Sequence, residues 1–159
     1  MNMLKTPRLI LRPWRESDAD DLYEYAKDLR VGPAAGWPAH ASREESLEVI
    51  RTVFPQETCN FAIELRSSGH VVGTVAFTGR KRFELGGPAE EIGYVLSPAH
   101  WGRGLMSEAV REMLRYGFEE LGLAVIWCGH YDFNDRSRRV VEKCGFRYQF
   151  TEKVWVAKL

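Results

Sequence analysis

The sequence predicts a mixed α/β domain in which helices pack on a central sheet. Three observations carry this. Apolar and polar residues alternate at Arg8 to Arg15, and strand-forming runs at Asn60 to Leu65 and Val71 to Phe77 flank a turn-rich tetrad. Helical spacing of apolar residues follows Ser42, and again follows Gly104. The two kinds of segment interleave along 159 residues with no repeat and no linker, so a single domain over 1–159 is expected.

Taken in order, the first strand turns Leu9 and Leu11 one way and Ile10 and Arg12 the other. Ser17-Asp18-Ala19-Asp20 supplies short polar side chains that accept from the free amides of a starting helix, whose inward face is Leu22, Tyr23 and Ala26. Leu29 to Ala41 is rich in Gly and Pro and reads as loop. Ser42-Arg43-Glu44-Glu45 forms a capping box ahead of Leu47, Ile50, Val53 and Phe54 at helical spacing. Ser67-Ser68-Gly69-His70 turns one strand into the next, and Arg80 to Pro88 is a polar connection to a strand at Glu90 to Leu96. Helix Gly104 to Glu120 has a wet face of Glu108, Arg111, Glu112, Arg115 and Glu119. Its dry face is Met106, Val110, Met113, Leu114, Gly117 and Leu121, and Gly122 suits its C-terminal end. Ala124 to Cys128 is almost wholly apolar, as a strand covered on both faces is. Asn134 caps a last helix ending near Cys144-Gly145, and Arg147 to Phe150 and Val154 to Ala157 read as two closing strands.

Composition excludes several function classes. Lys and Arg number 22 and Asp and Glu number 22, so no basic excess points to nucleic acid. No apolar run is long enough to span a membrane, and no secretory leader is evident. Cys59, Cys128 and Cys144 have neither metal-ligand nor paired-disulfide spacing and read as reduced structural thiols of a cytoplasmic protein. His40, His100 and His130 match no metal-site pattern, so no metal is expected.

The most informative stretch is Tyr94 to Tyr116, Y-V-L-S-P-A-H-W-G-R-G-L-M-S-E-A-V-R-E-M-L-R-Y. A strand enters a tight turn, reaches Gly102-Arg103-Gly104, and passes directly into an amphipathic helix. Amides at a helix start lack intrahelical partners, and glycine lets an anion approach them. Such a turn can hold a phosphate or pyrophosphate. Its two rivals are set aside by sequence: a Walker loop ends in Gly-Lys-Ser/Thr, whereas Gly104 precedes Leu105-Met106, and a Rossmann turn needs a third small residue in an early βαβ unit. The plainer reading, a tight turn that binds nothing, stays open on local pattern alone. Arg103 then faces solvent or clamps phosphate, and Trp101 is core or a shelf for a ligand.

Six segments in fixed order carry a family resemblance. They are T-x-R-L-x-L-R-x-W at Thr6 to Trp14, D-A-x-x-L-Y at Asp18 to Tyr23, and G-T-V-A at Gly73 to Ala76. E-I-G-Y-V-L follows at Glu91 to Leu96, W-G-R-G-L-M-S-E-A at Trp101 to Ala109, and N-D-R-S-R-R-V-V-E-K-C-G-F at Asn134 to Phe146. Across nearly its whole length the chain resembles GCN5-related N-acetyltransferases, most closely the branch of ribosomal-protein alanine and serine N-acetyltransferases. The resemblance implies the acyl-CoA N-acyltransferase fold, a single mixed and mostly antiparallel central sheet with helices on both faces. It implies acetyl-CoA as co-substrate and a primary amine, such as a protein N-terminus or a small amine, as acceptor. The family motif Q/R-x-x-G-x-G/A falls on Ala99 to Gly104, with Ala in place of Gln or Arg. That departure removes one side-chain contact and leaves the backbone amides in place.

The resemblance also implies roles. Amides from Trp101 through Gly102, Arg103, Gly104 and Leu105 to Met106 hold the pyrophosphate. Pantetheine lies in a gap between the strands at Glu90 to Leu96 and Ala124 to Cys128, in contact with Leu96, Ser97, Asn134 and Ser137, and the Leu96 amide polarises the thioester carbonyl. Glu91 is the candidate base for the substrate ammonium, directly or through water; the alternative is a solvated residue at the wet start of its strand. Asn134 caps its helix and also reaches the pantetheine arm. Ser137 is the candidate donor to the leaving thiolate, with Tyr94 and Tyr131 as rivals, and a surface or packing serine as the alternative. Trp37 and His40 wall the acceptor side or pack on the core. Transfer is expected to be direct, since no cysteine is placed to form an acyl-enzyme, by a monomer or homodimer. The competing functional class is a module that binds or senses acyl-CoA without turnover.

Overall fold

The computed structural model describes residues 2–159. Its sheet has six strands in the order β1 to β6: β1 Leu4–Lys5, β2 Leu9–Pro13, β3 Cys59–Leu65, β4 Val71–Phe77, β5 Ala89–Leu96 and β6 Val125–Cys128. Every neighbouring pair is antiparallel except β5 with β6, which is parallel. The connection that makes it parallel runs through helix α4, Leu105–Arg115, and a wide π-type turn, Tyr116–Glu120. The expectation of a mixed, mostly antiparallel sheet with helices on both faces is met.

Two apolar clusters hold the helices to the sheet. On one face Leu9, Leu11, Phe61, Ile63, Val75 and Ile92 pack against Ala109, Val110 and Met113 of α4. Each such side chain taken from water stabilises by about 1.5–3 kcal/mol. On the other face Ala19, Leu22, Tyr25 and Ala26 of α1, Ala19–Ala26, gather with Val31 and with Ile50, which follows α3, Arg43–Glu48. Helix α5, Asp135–Lys143, packs beside α4.

The outward set of β2 is not all wet. Arg12 is buried and forks both Oδ atoms of Asp18 at 2.9 Å, and its Nε donates to Glu64 at 3.0 Å. Asp18 also accepts from the Arg15 amide at 2.8 Å, so the carboxylate that starts α1 ties it to the sheet. Of the three helix starts read from sequence, α1 has no side-chain cap, because Asp18 is spent on Arg12 and the Arg15 amide; the other two are capped. Ser42 accepts from the Glu45 amide at 3.1 Å, and Asn134 accepts from the Ser137 amide at 3.2 Å.

Four expectations are corrected. Tyr25 rather than Tyr23 is the buried tyrosine of α1, because its hydroxyl meets Thr74 of β4 at 2.6 Å. The segment read as loop contains a single helical turn, α2, Gly32–Ala35, ended by Gly36 at φ 93°. Strand β1 lies ahead of the first strand expected from sequence. The two closing strands are absent: residues 146–159 have no regular structure, and Tyr148, Val154, Trp155 and Val156 are exposed. Alternation is necessary for a strand, but a strand also needs a ladder partner. This tail is tied by side chains instead, with Phe150 6.0 Å from the Trp127 ring and Glu152 accepting from Arg82 at 2.8 Å.

Candidate functional site

The site begins where two strands part. Pairing of β5 with β6 stops at Ile92 opposite Cys128, but β5 continues to Leu96. On its other side β5 stays bonded to β4: the Thr78 amide donates to the Glu91 carbonyl at 2.9 Å, and the Ser97 amide to the Val72 carbonyl at 2.7 Å. Backbone groups alternate sides along a ladder. The N–H and C=O groups of Tyr94 and Leu96 therefore point away from β4, into the gap. Leu96 is thus one of the two residues whose backbone faces the gap. The Ser97 amide is already spent on β4, which leaves its hydroxyl as its one free polar group.

At the end of β5 the chain makes a helical turn at Pro98–His100 and enters the glycine turn. Gly102 has φ 79° and Gly104, which caps α4, has φ 74°, a region where a Cβ meets the following carbonyl. Among the described residues, the amides of Gly102, Arg103, Gly104, Leu105, Met106 and Ser107 donate to no protein acceptor; the first helical bond is from Glu108 to the Gly104 carbonyl at 3.1 Å. Ser107 extends the set beyond the sequence reading. Trp101 leaves it, because its amide donates to the Pro98 carbonyl at 3.3 Å. Arg8 staples this turn, donating to the Arg103 carbonyl at 2.9 Å and to Glu108 at 2.8 Å. The positive end of α4 adds to an anion-binding field.

Across the gap stands the first turn of α5. The hydroxyls of Ser137 and Tyr94 lie 2.8 Å apart, either able to donate, and the Cys128 sulfur is 3.9 Å from the Tyr94 hydroxyl. Two residues read separately from sequence thus form one pair. Burial, and next the neighbouring Cys128, push the Tyr94 hydroxyl well above its usual range, which keeps it a proton donor. Burial pushes the Cys128 thiol up to about 12 and raises Cys144 as well. Both are poor nucleophiles in that state. Tyr131 is not part of this pair. It is stacked on Phe133 with centroids 5.3 Å apart, and its hydroxyl lies against Gly36. Asn134 reaches α2 through a bond to the Ala34 carbonyl at 3.3 Å, besides capping α5.

Glu91 lies on the opposite face of β5 with Gly93 and Val95. It is half-buried rather than solvated, and its Oε2 is 3.3 Å from Arg82 Nε and 3.8 Å from Arg80 Nε. Arg82 in turn sits over the rings of Trp127 and Phe150, at 5.6 and 5.5 Å. Five residues of strand span about 16 Å, so a proton passing from an amine near Leu96 to Glu91 crosses a chain of several waters. His40 is fixed in place, with Nδ1 2.7 Å from the Ser46 hydroxyl and its amide bonded to Ala26; burial lowers its pKa. Trp37 packs on the α1 cluster. Sequence reasoning did not find Arg136 and Arg30, whose guanidinium carbons lie 3.5 and 5.5 Å from the Trp101 ring centroid. No local pattern signals a contact between residues so far apart in sequence.

Among the described residues no helix is long and apolar enough to cross a membrane, and no three His, Cys, Asp or Glu side chains gather as a metal site. A family model described as an acetyltransferase (GNAT) domain matches residues 8–147. The chain is 31% identical over 149 residues to Uncharacterized N-acetyltransferase YoaA of Bacillus subtilis (strain 168), covering 91% of this chain and 82% of that protein. Its fold is similar to that of an acetyltransferase (GNAT family) from Bacillus anthracis, with TM-score 0.80 and 29% identity over 92% of this chain and 84% of the other. A likeness of fold extends to a ribosomal-protein-S5-alanine acetyltransferase from Vibrio fischeri, with TM-score 0.69 and 21% identity over 92% and 84%. The parted strands, the free amides and the matched residues lead to one conclusion: the chain belongs to the GNAT family and is an N-acetyltransferase.

Proposed function

We propose that this chain moves an acetyl group from acetyl-CoA directly to a primary amine, either a protein N-terminus or a small amine. The observation that carries the reading is the run of unbonded amides from Gly102 to Ser107 at the start of α4, beside a gap lined by the backbone of Tyr94 and Leu96. The amides and Arg103 meet the coenzyme's diphosphate, and the gap takes its pantetheine arm, with Asn134 and Ser137 on the far wall. Bound there, acetyl-CoA supplies an acyl group on a good leaving thiolate.

The residues divide the chemistry among them. The Leu96 N–H stabilises the negative charge that develops on the thioester oxygen as the amine attacks. Glu91 accepts the ammonium proton through water, so that the amine attacks neutral. Ser137 gives its proton to the departing sulfur as it takes one from Tyr94, and the proton shed by the newly acylated nitrogen passes through water to reprotonate Tyr94. No acyl-enzyme is needed, and the raised thiols of Cys128 and Cys144 fit that. Three unpaired cysteines suit a cytoplasmic setting.

The likeness to an S5-alanine acetyltransferase is a reason to include peptides with N-terminal alanine and serine among the acceptors tested. The experiment is turnover of acetyl-CoA against a mixed library of such peptides, amino acids and small amines, read by mass spectrometry. One acceptor class gaining 42 Da (about, one acetyl for one hydrogen) supports the reading. Coenzyme binding without any acetylated product would replace it with a binding module.

A further inference from the structure

Trp101 is held on three sides. Its Nε1 donates to the Leu96 carbonyl at 2.9 Å, and that carbonyl is one of the two that point into the gap. The Arg136 guanidinium lies against one part of its ring system at 3.5 Å from the centroid, and Arg30 approaches at 5.5 Å. These contacts join three separate parts of the chain: the turn after β5, the first turn of α5, and the loop between α1 and α2. The adjoining Ser137 is itself bonded to Tyr94, so the start of α5 closes over the gap at two points.

The two arginines differ. Arg30 is neutralised by Asp28, with Nη2 2.7 Å from Oδ2 and Nε 3.0 Å from Oδ1. Arg136 makes no ion pair among the described residues. It is an uncompensated cation resting on the ring of Trp101, whose chain neighbour Gly102 begins the fan of free amides. A planar guanidinium suits both an indole face and a diphosphate, and Arg136 exchanges one for the other without breaking an ion pair.

We propose that the Trp101–Arg136 stack is a latch on the donor groove that the coenzyme's diphosphate opens, making Arg136 a determinant of donor choice. This rests on the donor site proposed above. In the free chain the indole occupies the Leu96 carbonyl. The diphosphate draws Arg136 from the ring, the indole swings off the carbonyl, and an amide of the pantetheine arm takes its place. A donor that lacks the diphosphate leaves the latch shut. The chain therefore accepts acyl groups on coenzyme A and discriminates against the same groups on bare pantetheine.

The test is calorimetry and tryptophan emission on the same samples, with coenzyme A and with pantetheine, for the intact chain and for Trp101→Phe, Arg136→Ala and Arg136→Lys. Subtraction of the Trp101→Phe spectrum isolates Trp101 from the other tryptophans. Coenzyme A is expected to change that emission and pantetheine to leave it unchanged. Free Arg136→Ala is expected to show an altered Trp101 signal, and its preference for coenzyme A over pantetheine falls by about tenfold, the loss of roughly one charge-assisted contact. Arg136→Lys keeps the charge without the planar stack, so it keeps more of the preference but not the Trp101 signal of the free chain. Coenzyme A that binds by calorimetry without altering Trp101 emission, or an Arg136→Ala chain with undiminished preference, would overturn the latch and leave the donor site standing. Absence of coenzyme A binding in the intact chain would overturn both.

Discussion

Replacing Gly104 by alanine separates the amide fan from everything else the glycine does. A Cβ at this position would meet nothing nearer than Arg8 Nη2 at 3.7 Å, so crowding by neighbours contributes little. The cost is the backbone: φ is 74°, and an L-residue held there loses about 1–2 kcal/mol. At roughly 2–4 °C per kcal/mol for a chain of this size, the melting temperature falls by about 2–8 °C. The chain relieves that strain only by rotating the cap, and rotation turns the Leu105 amide, and those beside it, away from a shared focus. One charge-assisted bond lost weakens coenzyme A by about 1.5–3 kcal/mol, tenfold or more in Kd. Gly69 is the matched control. Its φ is 75°, a Cβ there meets nothing within 4 Å, and it sits in the hairpin between β3 and β4. Gly69→Ala should lose similar stability and bind coenzyme A like the unaltered chain. Thermal melts and titration calorimetry on the two variants make the comparison. Equal coenzyme A affinity in both, with equal loss of stability, would refute the assignment of this turn as the diphosphate site.

Three further outcomes are expected. Glu91→Gln lowers kcat/KM about a hundredfold while coenzyme A affinity holds; kcat/KM unchanged across the pH range would remove Glu91 from proton transfer. Ser137→Ala and Tyr94→Phe each slow the chemical step about tenfold or more, and the double variant costs little beyond either alone, because the two hydroxyls act as one pair; independent, additive losses would split them. Glu108 gives a pH dependence of stability. Burial raises its pKa, but bonds from the Thr6 hydroxyl and from the amide and guanidinium of Arg8 outweigh that and hold it below its ordinary 4.5. A carboxylate depressed in the folded state stabilises above its unfolded pKa and loses that contribution as pH falls through the folded one. The stability gap between the intact chain and Glu108→Gln, read from urea midpoints, should be full above about pH 4.5 and shrink as the solution is acidified; a gap independent of pH would contradict the assignment.

What sequence reveals here is what local chemistry determines. Ser42 and Asn134 are legible as caps because a cap needs only one side chain and an amide a few residues on. Gly102 and Gly104 are legible because the left-handed turn they occupy is available to few other residues. Six segments in a fixed order carried the family where no single one did. The failures are tertiary. Tyr23 and Tyr25 both border the apolar stripe of α1, and a single bond across to Thr74 selects the second. Val154-Trp155-Val156 has the composition of a strand, yet β6 is four residues long and pairs only with β5. The buried Arg12 looks in sequence like the wet side of its strand, because its two carboxylate partners come from the turn before α1 and from β3. The Trp101 stack depends on residues 30 and 136 arriving at one ring, which no spacing encodes.

Backbone nuclear magnetic resonance during a coenzyme A titration addresses the main claim at the atoms concerned. The amide signals of Gly102 to Ser107 should shift most strongly, downfield as hydrogen bonds to phosphate oxygens form, while that of Trp101, already bonded to Pro98, moves less through hydrogen bonding of its own. Saturable binding that leaves those six amides where they were, with the large shifts elsewhere, would contradict the account.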